Sequence, residues 1–155
     1  MKTLTVDIVP CVESVSQVSA APDGLVWVVC ADRNIGSVVK WMDPKKGDWN
    51  LIPDLNNATR VTGGSKGKAY IINSAHEVSS YTKKGVPTTL KCDFEPSELS
   101  IGPDGRLWVL SKGLGESLGG KRAYYTDNNG KDWNEIVGAA CTSMDAGVID
   151  WQDPV

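Results

Sequence analysis

The chain lacks the long apolar runs and the helical stripes that organise many other folds. Its longest apolar run, residues 25–31, is far too short to span a bilayer. No window of a dozen residues carries an apolar stripe at helical spacing, and sixteen Gly and eight Pro interrupt the chain too often for long helices. We therefore expect an all-β protein with no membrane span. Its 155 residues suffice for one domain with a core.

Basic residues and histidine are also scarce. There are 16 Lys and Arg against 19 Asp and Glu, and the net charge of −3 argues against nucleic acid as a main partner. The single histidine, His76, cannot anchor a zinc site. Asp127, Asn129 and Asp132 have the spacing of a calcium loop, but no Glu follows at the needed distance. We expect no metal and no cofactor.

Signatures of catalysis are missing as well. The chain has no G-x-S-x-G nucleophile elbow, and no two glutamates are placed by their spacing as a glycosidase pair. Any Ser-His-Asp or Cys-His site would have to use His76, which lies in a predicted hairpin turn. We therefore expect no catalytic residues and no enzyme activity.

What the chain does have is an internal repeat. Residues 19–28 (SAAPDGLVWV) return as residues 100–109 (SIGPDGRLWV), displaced by 81 positions, and weaker copies begin near Val61 and Thr142. The repeat is thus about 40 residues, which suits a four-stranded propeller blade. We predict a single β-propeller domain, residues 1–155, of about four short blades. The predicted units are residues 15–55, 58–92 and 96–140, and a composite unit of 141–155 plus 1–11.

Each unit begins with a polar turn before a β-rich strand. Pro22 and Pro103 pre-set φ for a type I turn, and Gly24 and Gly105 supply the left-handed residue that closes a hairpin with a bulge. In the first unit we take the strand after this turn, residues 25–30, as the inner strand of the blade.

The chain begins with the end of a unit and ends with the start of one. Residues 1–11 match residues 86–92, and residues 147–151 match the first strand of a unit. Two arrangements remain open. The two termini share one blade in a closed monomer, or copies of the chain complete a ring as a homo-oligomer.

Cysteine usage and the N-terminal sequence bear on location. Cys11 and Cys92 hold equivalent places in two copies of the repeat, so we expect them on different blades and too far apart to bridge. There is no CxxC, and Asp7 and Pro10 interrupt the region where a signal peptide would be apolar. We expect free thiols and a cytoplasmic protein. Removal of a leader or secretion by another route are the alternatives.

The order of motifs resembles the tectonin repeat of β-propeller lectins. The resemblance is carried by a P-D-G turn, a Trp in the following strand and a later W-x-x-I. In unit one these are Pro22-Asp23-Gly24, Trp27, Trp49 and Ile52; in unit three, Pro103-Asp104-Gly105, Trp108, Trp133 and Ile136. Unit two departs from it, with Tyr70 in place of Trp and no W-x-x-I. The resemblance implies a non-enzymatic lectin with repeated weak sites for glycans or glycoconjugates.

A second, weaker similarity lies in unit three. Residues 126–133 (TDNNGKDW) are similar to the Asp-box hairpin of sialidase-like propellers, with Asn128 where the Asp should be and Asp132 where a Thr should be. An Asp box is a structural hairpin, so this similarity implies a fold and not an activity.

Exposed aromatics and their polar neighbours are the candidate ligand-binding residues. A Trp or Tyr face stacks on the CH face of a sugar ring, while Asn and Asp bind its hydroxyls. We expect Trp41, Tyr81 and Tyr125 to be the aromatics most open to solvent, in similar places beside polar turns. The full candidate set is Trp41, Asp48, Trp49, Asn50, Tyr81, Tyr125, Asp132, Trp133 and Asn134.

These residues also have structural explanations. Trp27 and Trp108 are expected to pack between blades, and Trp49 and Trp133 are open to the same interpretation. The Asp and Asn neighbours equally suit ordinary hairpin hydrogen bonds. An alternative function is a protein–protein interaction scaffold. In a scaffold the outer aromatics would form one flat apolar patch, whereas in a lectin they would line concave pockets with polar rims.

Overall fold

The computed structural model describes residues 14–114, 120–138, 141 and 143–144. In this part of the chain twelve strands form three four-stranded antiparallel sheets, each with its strands in chain order. We call the three sheets blades one, two and three. Blade one holds β1 (Ser14–Ala20), β2 (Val26–Asp32), β3 (Gly36–Met42) and β4 (Trp49–Leu51). Blade two holds β5 (Ala58–Gly63), β6 (Lys68–Asn73), β7 (Val78–Thr82) and β8 (Pro87–Leu90). Blade three holds β9 (Pro96–Ile101), β10 (Leu107–Leu114), β11 (Lys121–Thr126) and β12 (Asn134–Glu135).

The blades meet through their first strands. β1 contacts β5, and β5 contacts β9, so these three strands form the inner edges of the blades. The prediction that residues 25–30 form the inner strand of blade one is therefore wrong. Those residues lie in the second strand, and β1 precedes the turn. The sequence of β1 alternates Ser and Gln with Val and is largely exposed, so it lacks the apolar signal that marks β2.

The turns between the first two strands have the predicted geometry in blades one and three. Gly24 has a φ of 83° and donates its N–H to the carbonyl of Ala21 at 2.9 Å. Gly105 has the same φ and bonds to Gly102 at the same distance, which confirms the bulged hairpin. Blade two uses a tighter turn instead. Both of its central residues, Lys66 (φ 58°) and Gly67 (φ 67°), are left-handed.

Two apolar cores lie between the blades. Trp27 and Val29 of blade one pack against Val61 and Ile71 of blade two, and all four are at most 1% exposed. The second core joins blades two and three, and its buried residues are Tyr70, Ile72, Val78, Leu90, Leu99, Leu107 and Val109. Full burial of each such Val, Leu or Ile side chain stabilises the fold by about 1.5–3 kcal/mol. Burial of Trp27 agrees with the packing role expected for it.

The inner strands of blades one and two are also joined by polar bonds. Gln17 Oε1 accepts from the Val61 N–H at 2.7 Å, and Ser19 Oγ accepts from the Gly63 N–H at 3.0 Å. These two N–H groups belong to β5, which is an edge strand of its sheet, and none of the described strands pairs with it on that side. Side chains of β1 thus take the place of a fifth strand.

Gly63 also sets how closely these two blades approach. A Cβ at this position would lie 2.6 Å from the Ala21 Cβ and 2.7 Å from Trp27 Cδ1. The absence of a side chain is therefore required for Trp27 to reach the core.

Apolar residues also cover the other face of blade one. Val28, Cys30 and Val38 are buried there, and Trp49 packs against them. Cys92 and Cys141 are free thiols, while Cys11 lies outside the described residues. Burial, with a smaller effect of the neighbouring Asp93, raises the pKa of Cys92 to about 12. Among the described residues no helix is long and apolar enough to cross a membrane.

The predicted composite unit, residues 141–155 plus 1–11, lies almost entirely outside the described residues. The three described blades are meanders of the kind that build propellers.

Candidate functional site

A cleft of about 390 Å³ opens between blades one and two, at the end that carries the β1–β2 and β3–β4 turns. We call it cleft one. Blade one contributes Asp23, Gly24, Leu25, Asp43, Pro44 and Lys45, and blade two contributes Lys66, Gly67 and Lys83. The cleft forms here because turns from two adjacent blades project past the ends of their strands.

The carboxylates of cleft one are engaged by backbone N–H groups. Asp23 Oδ1 accepts from the Leu25 N–H at 3.3 Å, and Asp23 Oδ2 accepts from the Gly67 N–H across the blade boundary at 2.6 Å. Asp43 Oδ1 accepts from the Lys45 N–H at 3.0 Å. Three backbone N–H groups thus already bind these two carboxylates, and both oxygens of Asp23 are used.

The lysines of cleft one, in contrast to the carboxylates, lack hydrogen-bonded partners of opposite charge among the described residues. Lys45, Lys66 and Lys83 make no ion pair with any carboxylate of the described residues. Lys83 instead holds its Nζ 4.6 Å from the ring centroid of Trp41, in cation–π range. The cleft therefore offers more hydrogen-bond donors than acceptors.

Trp41 lies beneath Lys83 at the boundary of the two blades. It is half-buried, tilted by 41° against Trp27 with the ring centroids 6.3 Å apart. Its Nε1 is buried and has no hydrogen-bond partner in the described structure. Trp41 is only partly exposed, because its ring lies opposite the buried Trp27 on the neighbouring strand.

Tyr81 is not in the place predicted for it. Trp41 pairs with Trp27, and Tyr125 pairs with Trp108, but the residue opposite Tyr70 is Ser80. Tyr81 comes one residue later and so points to the other face of its sheet, where it packs on the core shared with blade one. Burial and, to a smaller extent, Glu77 raise the pKa of Tyr81.

Tyr125 resembles Trp41 in its surroundings. Its ring lies 5.1 Å from that of Trp108, and the Arg106 guanidinium lies 4.8 Å above it. Arg106 is itself bound to Asp127 at 2.5 Å. Tyr125 is half-buried as well, so none of the three outer aromatics is fully exposed.

The polar candidates of blade one make a local hairpin bond. Asn50 Nδ2 donates to the carbonyl oxygen of Asp48 at 3.0 Å, which is the structural alternative considered for them. Asn50 lies opposite Trp41 in the strand pairing, as Asn134 lies opposite Tyr125. Trp49 packs on the outer face of blade one, with its Nε1 buried and unbonded among the described residues.

The hairpin before β12, where the similarity to an Asp box lies, is held by bonds to Thr126 and Asn128. Thr126 Oγ1 accepts from the N–H groups of Asn128 and Gly130, and Asn128 Oδ1 accepts from those of Lys131 and Asp132. Asn128 Nδ2 also donates to Asp132 Oδ2 at 2.8 Å. The amide oxygen of Asn128 accepts bonds as a carboxylate would, and Asp132 is used inside the hairpin.

This hairpin also fastens blade three to blade two. The Trp133 Nε1 donates to the Lys91 carbonyl at 2.7 Å, and the Trp133 ring meets Phe94 edge-on at 5.3 Å. The Tyr70 hydroxyl donates to Asn129 Oδ1 at 3.1 Å. Trp133 is thus held in a packing role, with its one polar atom bonded inside the fold.

A second cleft of about 270 Å³ lies between blades two and three. We call it cleft two, and its lining is Ser65, Lys66, Lys68, Tyr70, Ile101, Gly105, Asp127 and Asn129. Lys66 lines both clefts. In cleft two, however, Asp127 is paired with Arg106 and Asn129 is bonded to Tyr70, so two of its polar groups are already satisfied.

His76 lies in the β6–β7 turn, at the other end of the blades. Its Nε2 is 3.2 Å from Glu95 Oε1, which Lys112 also binds at 2.8 Å, and the His76 and Glu95 side chains are 38% and 49% exposed. The Lys112 hydrogen bond is the main cause that lowers the pKa of Glu95. Neither cleft includes this cluster. Among the described residues no group of three His, Cys, Asp or Glu side chains could hold a metal ion.

The lysines of cleft one were missed as site residues. The Lys-Lys-Gly turns at residues 45–47 and 83–85 are visible in the sequence, but they read only as tight turns. Only the packing of two blades brings their side chains to one cleft with Lys66.

Similarity to known proteins is found in structure alone. No family model matches the chain, and no curated protein matches it in sequence. A crystal structure of the tricorn protease matches 82% of this chain with a TM-score of 0.61 and 18% identity. YCF48 from Cyanidioschyzon merolae matches 85% with a TM-score of 0.54 and 19% identity. The chain covers 13% and 40% of these proteins, respectively.

Both structural neighbours are β-propellers, and the prediction of an all-β propeller is confirmed. At this level of identity the likeness concerns the fold alone.

Proposed function

We propose that the protein is a non-enzymatic carbohydrate-binding propeller that takes its ligand in cleft one. The observation that carries the proposal is a concave, polar-rimmed space in which one rim lysine, Lys83, also covers the ring of Trp41 next to the cleft. A volume of about 390 Å³ falls in the range of small-ligand sites. Lys45, Lys66 and Lys83 supply unpaired donors at the rim, and Trp41 lies beneath Lys83.

The chemistry of the cleft suits a sugar. Hydroxyl groups accept hydrogen bonds from ammonium donors, and Asp43 retains capacity to accept bonds from hydroxyls in return. When Lys83 turns from the Trp41 ring towards a ligand, it uncovers an aromatic face that can pack on sugar CH groups. The resting cation–π contact thus keeps the ring covered until a ligand replaces Lys83.

The outer aromatics do not form the flat patch expected of a scaffold, and none of them lines cleft one or cleft two. A scaffold was expected to present Trp41, Tyr81 and Tyr125 as one flat apolar patch. Trp41 and Tyr125 are half-buried beneath cations, and Tyr81 packs into the core between blades one and two. These surroundings offer no continuous apolar surface to a protein partner.

A glycan array combined with Trp fluorescence tests the proposal. We expect saturable binding of a restricted set of glycans and a fluorescence change, because Lys83 leaves the Trp41 ring. Lys83→Ala should weaken binding. Lys84→Ala is the matched control, since it removes the same charge from the same hairpin at a residue that does not line the cleft. A blank array with folded protein would overturn the proposal in favour of the scaffold.

A further inference from the structure

We infer that the ligand of cleft one is an acidic saccharide whose carboxylate or sulfate group lies among Lys45, Lys66 and Lys83. The inference rests on the proposed function and names the ligand class of that site. Its basis is an imbalance between the charges that face the cleft and the partners available to them.

Three ammonium groups line cleft one, and none has a carboxylate partner among the described residues. The two carboxylates present, Asp23 and Asp43, receive backbone N–H bonds, and Asp23 uses both of its oxygens. Three lysines against two carboxylates leave the lining with one excess positive charge, and an acid group supplies a negative charge and acceptor oxygens for the lysines.

Two of the three lysines, Lys66 and Lys83, belong to blade two. Blades one and three carry Asp23 and Asp104 in the first turn, where blade two carries Lys66. With Lys68, Lys83 and Lys84, the two turns at this end of blade two (residues 65–68 and 82–86) hold four lysines and no acid. Lys66 also occupies a left-handed backbone position, φ 58°, that few residues other than Gly, Asn and Asp adopt.

A neutral ligand would leave this charge uncompensated. Like charges brought together at one end of a blade repel, and an anion between them removes that cost while forming charge-assisted hydrogen bonds. The cleft also limits the size of the ligand. Its volume suits a sugar-sized unit, and the protein's net charge of −3 disfavours an extended polyanion such as nucleic acid.

The test is titration calorimetry with two acidic disaccharides, one sulfated and one with a uronic acid, each beside its neutral counterpart. Sodium sulfate is the third arm. We expect at least one acidic disaccharide to bind about 10-fold or more tightly than its neutral counterpart, the size of effect typical of a charged hydrogen bond. Added salt should weaken this binding.

A pair of double variants locates the site. Lys66→Ala with Lys83→Ala removes two lysines that line cleft one, and Lys68→Ala with Lys84→Ala removes equal charge from the same two turns outside that cleft. We expect the first pair to lower affinity about 10-fold or more and the second to change it less than about threefold. Circular dichroism checks that both variants are folded.

Each other result has a defined meaning. Equal binding of acidic and neutral sugars, weakened by the first pair of substitutions, would overturn the inference and leave the proposed function standing. If sodium sulfate bound as tightly as the sulfated sugar, the saccharide would not be needed for binding. That result would overturn both the acidic-saccharide inference and the proposed function. An equal loss in the two double variants would assign the effect to diffuse charge and overturn the cleft site. No binding of any ligand by folded protein would overturn both.

Discussion

Blades one and two are fastened near the inner edge, whereas blades two and three are fastened by an outer hairpin. At the first boundary, Gln17 and Ser19 accept bonds from backbone N–H groups of β5. At the second, Asn129 and Trp133 bond to blade two from the hairpin between β11 and β12. Both boundaries bury a similar apolar core. The apolar packing is thus common to the fold, and the polar fastening varies.

The residues of blade two explain why the fastening changes. In the alignment of units one and two, Arg60 falls at the place of Gln17 and Lys66 at that of Asp23. Neither Arg nor Lys has an acceptor atom in its side chain. Blade two therefore cannot repeat the bonds of Gln17 and Asp23 towards blade three, although Thr62, at the place of Ser19, keeps a hydroxyl. The presence of Lys66 at the place of Asp23 removes an acceptor from this boundary. It also places a lysine in the lining of both clefts.

The largest expected effect comes from the core of the first boundary. Trp27→Ala should lower the free energy of unfolding by about 3–5 kcal/mol, because it removes a large, fully buried ring between two blades. Trp108→Ala should cost less, since its ring is only half-buried. Urea denaturation measures both. Equal losses would mean that burial of the ring does not set its contribution.

Glycine substitutions separate crowding from backbone strain at the second boundary. Gly130→Ala should cost about 3 kcal/mol, because a Cβ would lie 2.7 Å from the Leu90 side chain at a residue with a φ of 76°. Gly24→Ala has a similar φ of 83° and nothing within 4 Å, so it should cost only about 1 kcal/mol. Thermal melts compare the two. If Gly24→Ala cost as much, crowding against blade two would not matter.

Loss of a single hydrogen bond should lower the free energy of unfolding more at the first boundary than at the second. Ser19→Ala leaves the buried Gly63 N–H without its partner and should cost about 2 kcal/mol. Tyr70→Phe frees the exposed Asn129 amide, which water can bind, and should cost about 1 kcal/mol or less. Denaturant titration of each variant decides the order. The reverse order would show that the hairpin bond is the stronger fastening.

The smallest effect is electrostatic and lies at the opposite end of the molecule. The pKa of Glu95 is lowered, mainly by its bond to Lys112, so the ionised side chain stabilises the fold above its ordinary pKa of 4.5. That contribution is lost as the pH falls below 4.5 and through the lowered value. Glu95→Gln should therefore flatten the acid side of the stability profile slightly. An unchanged profile between pH 5 and about 2 would contradict this.

The fold could be predicted because its signals are local in the sequence. The repeated Pro-Asp-Gly turns and the β-rich runs after them depend on residues adjacent in the chain, and Gly24 and Gly105 have the predicted backbone geometry. β1 was not predicted as the inner strand, because its Ser and Gln side chains bind the neighbouring blade, whose donors are backbone atoms with no sequence signature.

The candidate site was harder to read because it joins residues from separate turns. Lys45, Lys66 and Lys83 belong to three hairpins on two blades, and no spacing links them. Tyr81 was placed on the wrong face because a shift of one residue reverses a strand's side chains, and unit two has no Trp to fix the register. Trp41 looked exposed because its partner Trp27 lies fourteen positions earlier, across a strand pairing.

The bonds from Gln17 and Ser19 to β5 also protect the protein from self-association. A strand at the edge of a sheet presents free N–H groups that can pair with a strand of another molecule, which is how many β proteins begin to aggregate. Here the Val61 and Gly63 N–H groups are already occupied by the side chains of blade one. Local opening of this boundary, and not only global unfolding, would expose the unpaired edge of β5 and favour β-pairing between molecules.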